Sequence, residues 1–219
     1  TPAGGYTPPT PTVYHTPKQP TTHQTPATFT DMEDAMDTTP IPAEADITPY
    51  WEAVETHLGD QAEDVLNPPA THEQIREVEQ ALGLTLPDQL RASLARHDGM
   101  SDAPDDDFPG GVLLSCEEII ENYEIWQDTF EELIEDDEDE ELAGEYNLSG
   151  DTGLTLPGPW NSGWVPVTDD GAGNAYVIDT TPGPQGTIGQ IISIVTDGES
   201  QGVVYPSLAA LLHDYTTNQ

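Results

Sequence analysis

The chain has 219 residues with 42 acids and only 4 Lys or Arg residues, which gives a formal charge of −38 at pH 7. Nucleic acids and anionic membranes both bind proteins through Lys and Arg, so the composition excludes them as direct partners. No apolar segment approaches the roughly 20 residues that span a bilayer. A single cysteine allows no disulfide within the chain. We expect a cytoplasmic location and leave export open.

The excess of acid has three interpretations. Uncompensated negative charges repel one another and salt screens this repulsion, so the composition fits a protein from a salt-loving organism. It also fits an acidic surface that binds a basic protein partner. A merely solvated surface is the third interpretation, and the first two are compatible with each other.

Residues 1–45 are rich in Thr and Pro, as in the run Thr7-Pro8-Pro9-Thr10-Pro11. Proline fixes φ and lacks a backbone donor, so this segment favours extended polyproline II over helix or central strand. It is either a disordered linker or an extended arm that lies along a neighbouring subunit. The domain that follows is predicted to span residues 46–219.

Three helices are predicted at the start of this domain. Thr48 is predicted to cap the first, which ends at Gly59. Thr71 and Gln74 have the spacing of a capping box at the start of the second, and Pro87 opens the third. The apolar positions recur at helical spacing: Trp51, Val54 and Leu58, then Ile75, Val78 and Leu82, then Leu90 and Leu94.

A short strand and a fourth helix are predicted next. Val112-Leu113-Leu114 has the strand pattern, and Ser115 is predicted to cap a helix that runs through Trp126. The run 131–141 is almost entirely acidic, and like charges four residues apart disfavour helix. We therefore predict a solvated, mobile acidic insertion at about residues 128–146.

The last third of the chain has strand patterns instead. Four β-type runs are separated by Gly, Pro and Asp turns, and Pro206-Ser207 then opens a closing helix. The runs are Trp164-Val165-Pro166-Val167, Ala175-Tyr176-Val177-Ile178, 191–195 and Val203-Val204-Tyr205. Because helices and strands are segregated along the chain, we predict the α+β class with a mainly antiparallel sheet.

Several stretches follow one another at a specific spacing. They are Asn67-Pro68-Pro69-Ala70-Thr71, Leu86-Pro87, His97-Asp98-Gly99, Leu113-Leu114-Ser115, Gly163-Trp164-Val165-Pro166, Asp169-Asp170-Gly171-Ala172-Gly173-Asn174 and Asp179-Thr180-Thr181-Pro182-Gly183. In this order, over about residues 48–215, the chain resembles the SUKH superfamily of Smi/Knr-type fungal cell-wall regulators and bacterial toxin-immunity proteins. The Thr/Pro-rich arm lies outside the resemblance, and the acidic insertion is longer and more charged than the family pattern.

The resemblance implies a twisted sheet backed by helices in a domain that acts by protein binding rather than catalysis. In this family, bacterial members neutralise secreted toxins, often nucleases, and fungal members organise signalling partners. We therefore predict a non-catalytic protein-binding module, either an immunity-type protein that neutralises a basic toxin or a regulatory scaffold. The alternative is a structural subunit of a larger assembly or homo-oligomer in which residues 1–45 contact neighbours.

No catalytic residue, metal site or cofactor is predicted. The glycine-rich stretch 183–189 lacks the Lys of a phosphate loop, so we interpret it as a turn with close backbone packing. The loop 169–174 lacks the closing Glu of an EF-hand and fits a hairpin turn better than a Ca²⁺ site. Glu117 and Glu118 beside Cys116 disfavour a reactive thiolate.

The predicted partner-binding residues form two groups. Trp160, Asp169, Asp170 and Asn174 are predicted to supply contact area, because Trp is frequent in binding hot spots. Trp164 is predicted either to join them or to pack in the core. The charges predicted to attract a basic partner are Asp105, Asp106, Asp107, Asp136, Asp137 and Asp139.

Overall fold

Six α-helices and six strands occur in the part of the chain that the computed structural model describes, residues 40–104, 108–135, 153–156, 158, 160–195 and 202–218. The α+β class is confirmed. The predicted arm up to residue 39 lies outside the described residues. So do Asp105, Asp106, Asp107, Asp136, Asp137 and Asp139.

The order of elements follows the predicted order, with two additions after the first helix and one short strand, Thr168–Asp169, added in the last third. The elements are α1 (Thr48–Leu58), a 3-10 turn (Gly59–Gln61), α2 (Ala62–Val65), α3 (His72–Leu82), α4 (Asp88–Arg96), β1 (Val112–Leu113), α5 (Cys116–Glu135), β2 (Trp164–Pro166), β3 (Thr168–Asp169), β4 (Asn174–Asp179), β5 (Ile191–Val195), β6 (Gly202–Tyr205) and α6 (Leu208–Thr217). The 3-10 turn, α2 and β3 were not predicted from the sequence. Helix α5 continues to Glu135, so the first part of the predicted insertion is helical.

Local capping explains where α3 begins. The hydroxyl of Thr71 accepts the N–H of Gln74 at 3.2 Å, and the Gln74 side chain accepts the N–H of Thr71 at 2.9 Å. This reciprocal pair is the predicted capping box. At α1, by contrast, the prediction that Thr48 is the cap is wrong. Thr48 is the first helical residue, and the carboxylate of Asp46 accepts its N–H at 3.0 Å.

The strands form an antiparallel four-stranded sheet of order β2-β4-β5-β6 and a two-stranded sheet of β1 and β3. Val167, the last residue of the predicted run, belongs to neither β2 nor β3, and its carbonyl accepts the N–H of Leu114 at 3.0 Å. The small sheet therefore continues from the large one and joins β1 to it.

Each face of the four-stranded sheet has its own apolar layer. One face carries Val165, Ile178 and Ile191 toward a core shared with the helices. The other face carries Val177, Ile192 and Ile194 toward the second half of α5. Because side chains alternate along a strand, the two layers follow directly from the strand register.

Residues 40–45, which the sequence analysis assigned to the arm, pack against the domain. The buried side chain of Gln89 donates to the carbonyls of Pro42 at 3.1 Å and Ala45 at 2.9 Å. Its oxygen accepts the N–H of Ala209 at 3.1 Å. We call residues 40–45 the N-terminal strap, because one buried amide ties them to both α4 and α6.

Candidate functional site

The predicted contact residues lie at opposite ends of β4. Trp164 pairs with Asp179, the last residue of that strand, and Trp160 lies shortly before Trp164 in the chain. The loop 169–174 leads into the first residue of β4. A strand of six residues spans about 17 Å, so the structure does not bring Trp160 together with this loop.

The loop 169–174 is a hairpin turn held by its own carboxylates. Asp170 accepts the N–H groups of Ala172 at 2.8 Å and Asn174 at 2.9 Å, and it accepts the Asn174 side-chain amide at 2.6 Å. Burial by itself would raise the pKa of Asp170, but these hydrogen bonds outweigh it and lower the pKa. The predicted hairpin is confirmed. The partner-binding role of Asp169, Asp170 and Asn174 stays a prediction.

Trp160 belongs to an aromatic cluster formed with side chains of α5. Its ring lies nearly parallel to those of Trp126, at a centroid distance of 6.3 Å, and Phe130, at 6.0 Å. It meets Trp164 edge to face at 5.9 Å, and Tyr123 lies 5.8 Å away. Trp160 is half-buried in this cluster, so only part of its ring faces solvent.

Trp164 is fully buried and has no surface with which to contact a partner. Its side chain lies in the same layer as Val177 and Ile192, on the face of the sheet next to α5. Of the two alternatives for Trp164, its burial favours core packing. A large apolar side chain between a sheet and a helix gains more from burial than from exposure.

Two buried donors distinguish the aromatic cluster. The indole N–H groups of Trp160 and Trp164 make no hydrogen bond in the described part of the chain. A buried donor without an acceptor costs about 1–3 kcal/mol. Ring packing therefore has to outweigh this cost for the two indoles, while the Tyr123 hydroxyl ties α5 to the loop after Trp160 by donating to the carbonyl of Ser162 at 2.8 Å.

Cys116 and His97 do not form a nucleophile pair. Burial, followed by a hydrogen bond to Asp98, raises the pKa of the Cys116 thiol to about 12, which favours the neutral thiol. The ring nitrogens of His97 are used elsewhere. Nδ1 lies 3.1 Å from the carbonyl of Asn67, and Nε2 lies 2.8 Å from a carboxylate oxygen of Glu55.

An acidic stripe on α5 was not identified from the sequence. Glu117, Glu121, Glu124 and Asp128 are all exposed and are spaced four, three and four residues apart. At 3.6 residues per turn this spacing places them on one face of the helix. In the described part of the chain no ion pair reaches these four carboxylates, and the helical spacing itself was the signal that could have found them.

The basic residues of the described part all lie on other helices. Arg76 pairs with Glu73 at 3.2 Å, and Arg96 pairs with Glu55 at 2.7 Å. Arg91 pairs with Asp88 at 2.5 Å. Since each arginine is already engaged, the stripe on α5 keeps its negative field for other molecules.

Two kinds of site are not found within the described ranges. No helix there is both long enough and apolar enough to cross a membrane. No group of three or more His, Cys, Asp or Glu side chains there is arranged to hold a metal ion.

The chain matches the model of the SMI1 / KNR4 family (SUKH-1) over residues 69–214. This range runs from the segment before α3 to the last helix and includes β1 to β6. It includes both the hairpin turn and the aromatic cluster. The strap and α1 precede the matched range.

Three fungal proteins illustrate the similarity. The glucan synthesis regulatory protein of Neurospora crassa is 28% identical over 176 residues, covering 68% of this chain and 33% of its own length. The cell wall biosynthesis/cell cycle regulator smi1 of Schizosaccharomyces pombe is 33% identical over 152 residues, which cover 65% of this chain and 29% of that protein. The cell wall assembly regulator SMI1 of Saccharomyces cerevisiae is 24% identical over 166 residues, which cover 64% of this chain and 33% of that protein. The chain thus spans about a third of these relatives.

Proposed function

Because the chain belongs to the SMI1 / KNR4 family (SUKH-1), we propose that it is a non-catalytic regulator that acts by binding a basic protein partner. Relatives from three fungi are named as regulators of glucan synthesis or of the cell wall. These names favour a regulatory role for this chain over the neutralisation of a toxin. Both roles use the same physical event, the docking of a partner on the domain surface.

The acidic stripe of α5 is the observation that carries the basic-partner part of the proposal. Four exposed carboxylates on one helical face, with no arginine pairing to them in the described residues, create a local negative field. The formal charge of −38 extends that field over the whole molecule. Such a field attracts a basic protein and raises its association rate more than its final affinity.

A selection from a displayed library of short random peptides tests this proposal with a defined probe. The full chain is the bait at roughly 0.1 M salt, where the Debye length is still about 10 Å. We expect the selected peptides to be enriched in Lys and Arg. A selection that yields no peptides, or peptides without basic residues, contradicts the proposal.

The association rate of a selected peptide then distinguishes the stripe from the general charge. The triple variant Glu121→Gln, Glu124→Gln, Asp128→Asn removes three charges from the stripe. The matched control Asp60→Asn, Glu63→Gln, Asp64→Asn removes three exposed charges near α2. We expect the stripe variant to associate about tenfold more slowly at low salt and the control at most about twofold, with both effects lost at high salt. Equal rates for the two variants contradict the role of the stripe.

A further inference from the structure

Two stretches that meet in the structure carry no charged residue. Residues 153–168 and 180–195 contain no Asp, Glu, Lys or Arg, although charged residues make up 21% of the chain. The structure joins the loops at the start of each stretch. The carbonyl of Leu154 accepts the N–H of Gly183 at 2.9 Å and the side-chain amide of Gln190 at 2.8 Å. We call residues 153–156 and 180–190 the two-loop platform.

The platform is built with little freedom to move. A side chain at Gly186 would place its first carbon 2.0 Å from the carbonyl oxygen of Leu154, and one at Gly183 would lie 2.3 Å from that of Gly153. The Gln190 amide also donates to the buried carboxylate of Asp179 at 2.9 Å. A surface fixed in this way loses little conformational entropy when a partner binds.

Apolar side chains project from this uncharged surface. Ile188 is 59% exposed and Leu156 is 38% exposed. In the described part of the chain only one further large apolar side chain is exposed, Ile125 on α5 at 60%. Single exposed apolar residues are common, but two on a pair of rigid, charge-free loops match the centre of a protein interface, where charged residues are depleted.

The charge around the platform indicates what binds there. The N-terminal strap lies against it, since a side chain at Gly189 would come within 3.0 Å of Ala43. Glu44, and Asp46 just after the strap, are exposed. An uncharged centre next to acidic side chains is complementary to an apolar centre next to basic ones.

We propose that the two-loop platform is the apolar contact site for the partner, and that it takes a protein segment carrying one or two apolar side chains flanked by Lys or Arg. This inference rests on the proposed function, because the flanking bases are those that the acidic surface attracts. It adds a site on the two joined loops, whose exposed apolar side chains are Leu156 and Ile188, to the stripe on α5.

Charged substitutions separate apolar contact from simple attraction. Ile188→Glu adds a negative charge but removes the apolar contact, and Ile125→Glu makes the same change outside the platform. Both positions are more than half exposed, so folding is preserved, and circular dichroism checks it. With the selected peptides, we expect Ile188→Glu to bind about tenfold more weakly and Ile125→Glu to bind as well as or better than the parent. The uncharged variant Ile188→Ser is expected to weaken binding to a similar extent.

The possible outcomes distinguish this inference from the proposed function. If Ile188→Glu binds basic peptides as tightly as the parent or more tightly, attraction alone explains binding and the platform is overturned, while the basic-partner proposal stands. If the selected peptides lack Lys and Arg, the basic-partner proposal fails, and the flanking bases of this inference fail with it. Equal weakening by Ile125→Glu and Ile188→Glu also overturns the platform as the specific site.

Discussion

Glu55 on α1 and Arg96 at the end of α4 form a bidentate ion pair. The Arg96 Nε donates to Glu55 Oε1 at 2.7 Å, and its Nη2 donates to Oε2 at 2.9 Å. The Arg96 hydrogen bond is the main cause that lowers the pKa of Glu55 to about 2. His97 also contributes through the same carboxylate. Two parallel charge-assisted bonds of this kind hold α1 against the turn that follows α4.

Removing this pair is expected to destabilise the domain at neutral pH. The folded pKa of Glu55 lies below its ordinary value of 4.5, so its contribution is present above that value and is lost as the pH falls toward 2. Both side chains are about a third exposed, and solvent screening reduces the effect. For Glu55→Gln we expect a loss of about 1 kcal/mol in the free energy of unfolding, measured with urea.

The exposed pair Glu73–Arg76 supplies the control for this experiment. Glu73→Gln removes the same charge from a pair whose side chains are 74% and 62% exposed, and we expect an effect below about 0.5 kcal/mol. The difference between the two variants should shrink as the pH falls below 4.5 toward about 3, because Glu55 then binds a proton in the unfolded chain while the folded pair still excludes it. A difference that is constant with pH would show that the pair does not stabilise through its charge.

Truncation tests the N-terminal strap. A chain that begins at Pro40 keeps the carbonyls that Gln89 and Ser207 bind, while one that begins at Asp46 loses them. We expect the first truncation to unfold at the parent's urea concentration. The second is expected to lose about 2–4 kcal/mol, because buried donors are left without acceptors. Equal stability of the two would show that the strap packs without contributing energy. Light scattering on both also tests the predicted assembly through the arm, since oligomers that are already lost in the first truncation require residues 1–39.

The same hydrogen bonds can also be removed by substituting Gln89, which leaves the strap in place. Gln89→Met keeps the volume of this buried side chain. It removes the amide that donates to the carbonyls of Pro42 and Ala45 and accepts the N–H of Ala209. We expect a loss of about 2–4 kcal/mol in urea unfolding. The control is Gln80→Met on the exposed face of α3, expected within about 0.5 kcal/mol. Faster exchange of the Ala209 amide hydrogen in Gln89→Met would show that the start of α6 is the part that loosens.

Close backbone approach at Gly111 gives a further prediction. Gly111 has φ +98°, and a side chain there would place its first carbon 2.2 Å from the carbonyl oxygen of Asp169. Gly171 also has a positive φ, +69°, but nothing lies within 4 Å. Gly171→Ala is therefore expected to cost about 1 kcal/mol for its conformation alone. Gly111→Ala is expected to cost about 2–4 kcal/mol, because β1 must also move away from β3. Equal midpoints of urea unfolding for the two would contradict this assignment.

The sequence predicted the features that depend on neighbouring residues. The capping box of Thr71 and the strand runs were recognisable because their signals lie within a few positions. Features that depend on distant residues were not. The strap became visible only through Gln89, which lies 47 positions from Pro42. Trp164 was ambiguous from sequence, because a Trp at the start of a strand suits a core and an interface equally well until the opposite layer is known.

The same reasoning applies to the two candidate surfaces. The helical spacing of the acids on α5 could be read from the sequence, because three of the four lie in the helix predicted to run through Trp126. Only Asp128 falls inside the predicted insertion, where like charges were expected to disfavour helix. Packing of Tyr123, Trp126 and Phe130 on the opposite side of α5 offsets that repulsion. The platform combines two segments about 30 residues apart, and no local pattern connects Leu154 to Gly183.

The single thiol of the chain gives the last prediction. Cys116 is buried at the start of α5, where the carboxylate of Asp98 accepts its backbone N–H at 2.7 Å. Since only the thiolate reacts with iodoacetamide, a pKa of about 12 predicts alkylation roughly a thousandfold slower at pH about 8 in the folded protein than in urea. The rate for the folded protein should keep rising with pH beyond the point, near pH 9, where the unfolded rate levels off. Asp98→Asn removes the nearby negative charge and should raise the folded rate several-fold. A folded rate that already levels off near pH 9 would show that the thiol is reached by unfolding rather than held neutral by burial and Asp98.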